Sequence, residues 1–190
     1  MLHRFTDGWH LRAAARSVTA GGLIAYPTEA VYGLGCDPYN ENAVKRLLAL
    51  KQRSIRKGLI LIAADFAQLA PFLQPLTPAD LTRLEATWPG PCTWLIPARK
   101  TTPLWLRGQY DTLAVRVTAH PPVVALCKAC GYPLISTSAN RSGHPPARNA
   151  LAVRRHLGQF IDYIVPGVTG GASRPTEIRD LRSGDVKRCA

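Results

Sequence analysis

The chain is organised around one segment, Leu47-Leu48-Ala49-Leu50-Lys51-Gln52-Arg53-Ser54-Ile55-Arg56-Lys57-Gly58-Leu59-Ile60-Leu61-Ile62. Its beginning has the apolar spacing of the end of an amphipathic helix, and its end is an apolar run typical of a buried strand. Between them lies a short turn that holds four cations in seven residues, namely Lys51, Arg53, Arg56 and Lys57. No Asp or Glu occurs between Glu41 and Asp65, so no acidic residue nearby in the chain neutralises this turn.

Two interpretations of the cationic turn are open. Like charges on a short turn repel one another, and a polyanion bound among them relieves that repulsion. A basic helix end in contact with solvent is the alternative, because Lys and Arg also interact favourably with the helix dipole. Charge patterning alone favours neither interpretation.

The bulk composition limits the class of protein. The chain has 190 residues and a formal net charge of +12, and its length predicts a single domain, residues 1–190, with a substantial core. The positive charge indicates acidic partners, meaning nucleotide phosphates, RNA or both. No apolar run reaches the roughly 20 residues of a membrane helix, and the N-terminus has no signal-peptide pattern. We therefore expect a cytoplasmic protein without a membrane partner.

The five cysteines are an odd number without the spacing of a disulfide framework, as expected for a reducing compartment. Cys127 and Cys130 form a C-x-x-C pair, but a zinc site needs a second pair and the other cysteines stand alone. Helix packing is therefore the favoured role of the pair, and no metal site is predicted.

Strands and helices alternate along the chain, which predicts an α/β layered domain. A helix from Trp9 to Ala20 and a strand at 23–26 precede residues 27–36, which are rich in hydroxyl groups, contain two glycines and are expected to form a loop. Further strands are expected at 59–63, 92–96, 113–117, 134–140, 160–165, 177–181 and 186–189. The sequence has neither a Walker A motif nor a G-x-G-x-x-G that opens a helix, so any nucleotide is bound by another device.

Two polar features stand out within otherwise apolar strands. Residues 136–140, Ser-Thr-Ser-Ala-Asn, follow a strand, where open α/β sheets place ligands, although an ordinary turn is the simpler interpretation. Arg116 lies inside the strand Leu113–Val117, and a buried arginine needs an anionic partner. That partner is either a protein acid, such as Asp111 or a distant Glu, or a substrate carboxylate held by two bonds. Only 12 acidic residues stand against 24 basic ones, which favours the ligand.

Seven segments occur in the order known from one protein family. They are Tyr26–Gly35 (YPTEAVYGLG), Lys51–Arg53, Lys57–Ile62, Trp88–Thr93, Leu113–Val117, Ser136–Asn140 and Pro166–Gly171. Together they cover nearly the whole chain and resemble the YrdC/TsaC family, above all its short bacterial members.

The resemblance implies a YrdC-like domain with a twisted mixed sheet, flanking helices and a basic concave cleft. It also implies a nucleotidyltransferase that converts L-threonine, bicarbonate and ATP to threonylcarbamoyl-adenylate and pyrophosphate. Partner proteins then transfer the threonylcarbamoyl group to tRNA, and direct contact with tRNA or double-stranded RNA is a second expected property.

The family motifs also imply site residues. The K-x-R and S-x-N motifs make four residues catalytic, namely Lys51, Arg53, Ser138 and Asn140. The same four bind ATP together with Lys57, and the threonine-binding residues are Thr28, Arg116 and Ser136. No protein ligand for a metal is implied, and Mg²⁺ is expected to be held largely by ATP phosphates and water. The chain departs from the family pattern at two places. Longer relatives have a histidine in the strand after the cationic turn, whereas residues 59–62 of this chain contain none. The late family motif P-S-T-I reads Pro175-Thr176-Glu177-Ile178 here.

Two rival functions belong to different classes. A carbamoyl-adenylate-forming domain, as in hydrogenase maturation, sits within chains that carry zinc-finger-like and acylphosphatase-like parts, and this chain has neither. An RNA-binding module would use the net charge on a concave face, since ATP carries only about four negative charges and most of the 24 cations face something else.

Overall fold

The computed structural model describes residues 8–172 and 176–188, so Pro175 of the late motif and the predicted strand end at Cys189 lie outside the described residues. The helices are α1 (Gly8–Thr19), α2 (Glu41–Lys51), α3 (Phe66–Leu69), α4 (Pro78–Glu85), α5 (Leu104–Arg107), α6 (Pro121–Cys130) and α7 (Ala150–Leu157). The strands are β1 (Ile24–Pro27), β2 (Tyr32–Gly35), β3 (Ile60–Ala63), β4 (Cys92–Pro97), β5 (Thr112–Val117), β6 (Leu134–Ser138), β7 (Tyr163–Ile164), β8 (Glu177–Asp180) and β9 (Val186–Arg188).

The nine strands form one sheet in the order β7-β1-β2-β6-β3-β5-β4-β8-β9. The pairs β1–β7, β3–β5 and β4–β8 are parallel, and the other neighbouring pairs are antiparallel. The predicted mixed sheet with flanking helices is therefore confirmed. No helix in the described part of the chain is both long and apolar enough to cross a membrane.

The segment from Leu47 to Ile62 forms the predicted helix end, turn and strand. The Asn40 side chain caps α2 by accepting a hydrogen bond from the amide of Ala43 at 3.0 Å, which satisfies one of the free amides of the first turn. α2 ends at Lys51, and the next residue, Gln52, has a left-handed φ of 48°. Ser54 caps a 3-10 turn at 55–57. The chain thus passes from α2 directly into β3, which lies in the middle of the sheet between β5 and β6.

Residues 27–36 are not the expected loop, because Tyr32–Gly35 form the buried strand β2, antiparallel to β1. A Cβ atom at Gly35 would lie 2.5 Å from the carbonyl oxygen of Ile135 and 2.8 Å from the ring of Tyr26. The glycine is therefore needed for close packing inside the sheet, whereas the sequence-based interpretation took it as a sign of a turn. Only 28–31 remain as the turn that joins the two strands.

The two faces of the sheet are covered unequally. On one face, Leu61 and Val115 belong to the large core, where they pack with the buried side of α2. On the other face, α1 and α6 pack on Ile62 and Leu134. Ile60 lies on the same face as Ile62, one pleat away, beyond the part that these two helices cover.

Candidate active site

A cavity of about 1050 Å³ opens on the part of the sheet that α1 and α6 leave uncovered. Its floor includes Ser136, Ile60, Ala114 and Leu95, which are register neighbours on four adjacent strands. The volume lies just above the usual range for small-molecule sites, about 300–1,000 Å³. The cavity is therefore large enough for a nucleotide together with a small second substrate.

The lining of the cavity is strongly basic. Its cations are Arg53, Lys57, Arg107, Arg116, Arg148, Arg182, Lys187 and Arg188, and its acids are Glu29, Asp111 and Asp180. Asp111 pairs with Arg182 at 2.7 Å, and Asp180 accepts a hydrogen bond from the amide of Arg182 at 2.9 Å. Because Glu29 is also paired, as described below, the remaining cations give the cavity an excess of positive charge.

The structure brings most of the predicted site residues together. Six of them line the cavity, namely Thr28, Arg53, Lys57, Arg116, Ser136 and Ser138. They come from the β1–β2 turn, from the cationic turn and from β5 and β6, which are distant in sequence. Lys51 and Asn140 are not among the lining residues.

Lys51 differs from the other cations of the turn, because its side chain is buried, with 6% of the residue exposed. Its Nζ atom donates to the carbonyl oxygens of Ser138 (2.6 Å) and Asn140 (2.8 Å) and to Asn140 Oδ1 (2.6 Å). Burial, with a smaller contribution from Arg53, lowers the pKa of Lys51 to about 8. Protein oxygens therefore surround the ammonium group of Lys51, and its predicted contact with a nucleotide stays a prediction.

Arg53 fixes the shape of the cationic turn. Its guanidinium donates to the carbonyl oxygen of Gly58 through Nε (3.2 Å) and Nη2 (2.8 Å). Gly58 has a φ of +62°, and a Cβ atom there would lie 3.0 Å from the carbonyl oxygen of Arg107. The turn therefore sits tightly against the end of α5, and Lys57 remains in the cavity wall without an ion-pair partner among the described residues.

The loop after β6 is held by its own polar groups as well as by Lys51. Ser138 Oγ donates to Asn140 Oδ1 at 2.6 Å, and the amide of Ala139 donates to the carbonyl oxygen of Tyr32 at 2.8 Å. The amide of Ala147 donates a hydrogen bond to the carbonyl oxygen of Ala139 at 2.9 Å. These bonds present the Ser138 hydroxyl at the cavity wall in a defined orientation.

Arg116 has a protein partner, which sequence analysis considered but did not favour. Its Nη2 atom lies 3.2 Å from Glu29 Oε2, and Glu29 Oε1 accepts a hydrogen bond from Thr118 Oγ1 at 2.7 Å. The acid is thus Glu29 rather than Asp111. The buried Nε atom of Arg116 has no acceptor among the described residues, so this side chain keeps one donor for a ligand.

Glu29 is the functional candidate that sequence reasoning missed. It lies in the β1–β2 turn, beside the predicted Thr28, and 19% of its side chain is exposed. The signal available in the sequence was that Glu29 is the only acid between Asp7 and Asp37. Two other residues of the cavity lining, Thr93 and Thr176, were not predicted either, and their hydroxyl oxygens lie 3.3 Å apart.

The described residues contain no group of three or more His, Cys, Asp or Glu side chains that could hold a metal ion. Cys127 is buried, and its Sγ atom donates to the carbonyl oxygen of Ile62 at 3.5 Å. Burial raises the pKa of Cys127 to about 12 and that of Cys130 to about 11. Both thiols are therefore neutral at pH 7, which fits packing of α6 on the sheet.

Comparison with known proteins adds an independent finding. The family model Sua5/YciO/YrdC, described as telomere recombination, matches residues 16–189. The threonylcarbamoyl-AMP synthase of Nitrosococcus oceani is 61% identical over 180 residues, which are 95% of this chain and 97% of that protein. The enzyme of the same name from Halorhodospira halophila is 56% identical over 183 residues, 96% of each chain.

Among solved structures, P. abyssi Sua5 complexed with L-threonine is similar with a TM-score of 0.86 and 33% identity. The match covers 94% of this chain and 52% of that protein, so this chain spans about half of its length.

Proposed function

The chain belongs to the Sua5/YciO/YrdC family, and on that premise we infer that it is a threonylcarbamoyl-AMP synthase. The reaction joins L-threonine, bicarbonate and ATP to give threonylcarbamoyl-adenylate and pyrophosphate. The observation that carries this inference is the match of named synthases along nearly the whole chain. The basic cavity, which is lined by six of the eight predicted site residues, gives independent chemical support.

The chemistry makes clear why the cavity must be cationic. The threonine amine attacks bicarbonate to form a carbamate and water, and a carbamate oxygen then attacks the α-phosphorus of ATP while pyrophosphate leaves. Negative charge builds on the phosphoryl oxygens and on pyrophosphate, so fixed cations and hydrogen-bond donors lower the barrier. Arg53 and Lys57 suit the triphosphate, and the Ser138 hydroxyl suits orientation of the same group.

We place threonine beside the pair formed by Arg116 and Glu29. A zwitterionic amino acid needs a donor for its carboxylate and an acceptor for its ammonium group. Arg116 offers its unpartnered Nε atom, and each Glu29 oxygen uses only one of its two lone pairs in the bonds described. Thr28 and Ser136 border the same part of the cavity, and the P. abyssi Sua5 structure with L-threonine supports an amino-acid site in this fold.

Mg²⁺ is proposed to enter with ATP. The described residues offer no ligand cluster of their own, and the three cavity carboxylates are engaged with protein donors. Mg²⁺ keeps several waters and binds readily to substrate phosphates, where it neutralises charge. The residues present therefore fit an ion held by ATP phosphates and water.

Transfer of the product to tRNA by partner proteins in the cytoplasm, and direct RNA contact, are further parts of the proposal. The excess of 24 basic over 12 acidic residues supports contact with a polyanion larger than ATP.

Pyrophosphate release tests the assignment most directly. We expect release to require L-threonine and bicarbonate together. Equal release with carbamoyl phosphate in the absence of threonine would assign the chain to the carbamoyl-adenylate class instead. RNA binding without any threonine-dependent release would favour the RNA-binding module.

A further inference from the structure

Lys51 forms part of the K-x-R motif, yet its ammonium group is enclosed by the loop that carries the S-x-N motif. An ammonium group has three N–H donors. Three acceptors lie within 2.8 Å of Nζ, all contributed by Ser138 and Asn140. All three donors are therefore used, and none remains for a phosphate oxygen.

The position of the charge agrees with this donor count. Lys51 does not line the cavity, whereas Arg53 and Lys57 from the same turn do. To reach a ligand, Lys51 would have to break three short hydrogen bonds, and the part-buried carbonyl oxygen of Asn140 would lose its charged donor, which is costly.

The bonds of Lys51 join two parts of the site that are far apart in sequence. Lys51 is the last residue of α2, and Ser138 and Asn140 lie 87 and 89 residues further along the chain. In the same loop, the amide of Ala139 donates a hydrogen bond to the carbonyl oxygen of Tyr32 in β2. The ammonium group therefore cross-links the end of α2 to the end of β6 at the point where the Ser138 hydroxyl enters the cavity wall.

We propose that Lys51 is a positioning residue, which acts on the reaction by fixing residues 138–140 and does not touch ATP. Arg53 and Lys57 then supply the direct cationic contacts of this turn. That the ligand is ATP rests on the proposed function, whereas the hydrogen bonds by which Lys51 links α2 to residues 138–140 do not depend on it.

The first test compares Lys51→Met with the matched control Lys57→Met, which removes a lysine six residues away that lines the cavity. Amide hydrogen exchange is measured without ligand. For Lys51→Met we expect the protection of the Ala139 and Ala147 amides to fall about ten- to a hundredfold, the range for loss of charged hydrogen bonds. Lys57→Met should leave both amides unchanged. Unchanged protection in folded Lys51→Met would overturn the proposal.

The second test uses the salt dependence of ATP affinity, because removing a cation that touches the triphosphate makes binding less sensitive to ionic strength. We expect a weaker dependence for Lys57→Met and the wild-type dependence for Lys51→Met, whose loss should fall mainly on kcat. Equal loss of salt dependence in both variants would show that Lys51 contacts phosphate.

A measurement on the unaltered protein covers the case in which Lys51→Met does not fold. Inorganic pyrophosphate is titrated while the ¹⁵N signals of the lysine ammonium groups are followed. Lys57 should shift and Lys51 should stay near its starting position, and a larger shift at Lys51 would overturn the proposal. Failure of the proposed function would appear separately, as absence of threonine-dependent pyrophosphate release in the wild-type protein.

Discussion

Arg116 and Glu29 form a buried ion pair in the wall of the cavity, with 3.2 Å between Nη2 and Oε2. The two side chains are 7% and 19% exposed, and the pair joins the C-terminal end of β5 to the β1–β2 turn. A buried ion pair costs desolvation energy and is weak support for stability by itself. Its place beside the cavity, with Arg116 Nε free of a partner among the described residues, supports the threonine-binding role that we propose for it.

Arg116→Lys should weaken threonine binding about ten- to a hundredfold and ATP binding much less. Lysine keeps the charge but loses the planar fork of donors that matches a carboxylate, which corresponds to about 1.5–3 kcal/mol. Calorimetric titration of each ligand separately measures the two affinities. Unchanged threonine affinity in a protein of lowered melting temperature would leave Arg116 with only the structural pair to Glu29.

Glu29→Gln should weaken L-threonine about ten- to a hundredfold, because glutamine retains the shape but loses the charge that attracts an ammonium group. A sharper comparison uses 2,3-dihydroxybutanoate, which has a hydroxyl in place of the threonine amine. Its affinity should be the same for the wild-type protein and the variant. Equal losses for both ligands would mean that Glu29 acts through Arg116 alone.

Arg53→Ala should lower kcat/KM by about two to three orders of magnitude, the usual effect of removing one group that stabilises transition-state charge. Lys45→Ala is the matched control, because Lys45 lies on the outer side of α2, is 60% exposed and pairs with Glu41. Such surface pairs contribute little to stability, so this control should retain wild-type pyrophosphate release. Near-normal turnover in folded Arg53→Ala would show that its bonds to Gly58 are its main role.

Gly35→Ala should destabilise the protein by about 1–3 kcal/mol, because an added methyl group would meet the Ile135 carbonyl oxygen at 2.5 Å and force the strands to shift. Gly158→Ala is the control, since a Cβ there would lie 3.6 Å from the nearest atom, in Arg154. Urea unfolding of both variants gives the comparison. Equal stability of the two would mean that β2 and β6 can separate without loss.

The sequence predicted much of the local structure correctly. The run from Leu47 to Ile62 predicted α2, the turn and β3 because helix periodicity and apolar strand patterns are local signals. The partner of Arg116 was not predictable, since Glu29 lies 87 residues away and is brought near by the sheet order.

The burial of Lys51 was hidden for a similar reason. A lysine in a cationic turn looks exposed in sequence, and only the docking of residues 138–140 reveals its acceptors. The strand β2 was missed because glycine in a sheet and glycine in a turn look alike until the packing of Tyr26 is known.

The strand pairing sets a fixed width for the floor of the cavity. Ser136 and Ala114 both pair with Ile60, so two strand spacings, together about 9.4–9.8 Å, separate them. No rotamer change or loop movement can alter this separation, and a slip by one residue would turn Ile60 into the core and expose Leu61 instead. A change in which ligand fits this cavity therefore has to come from its side chains or from movable parts of its wall, such as the β1–β2 turn, while the span across the floor stays constant.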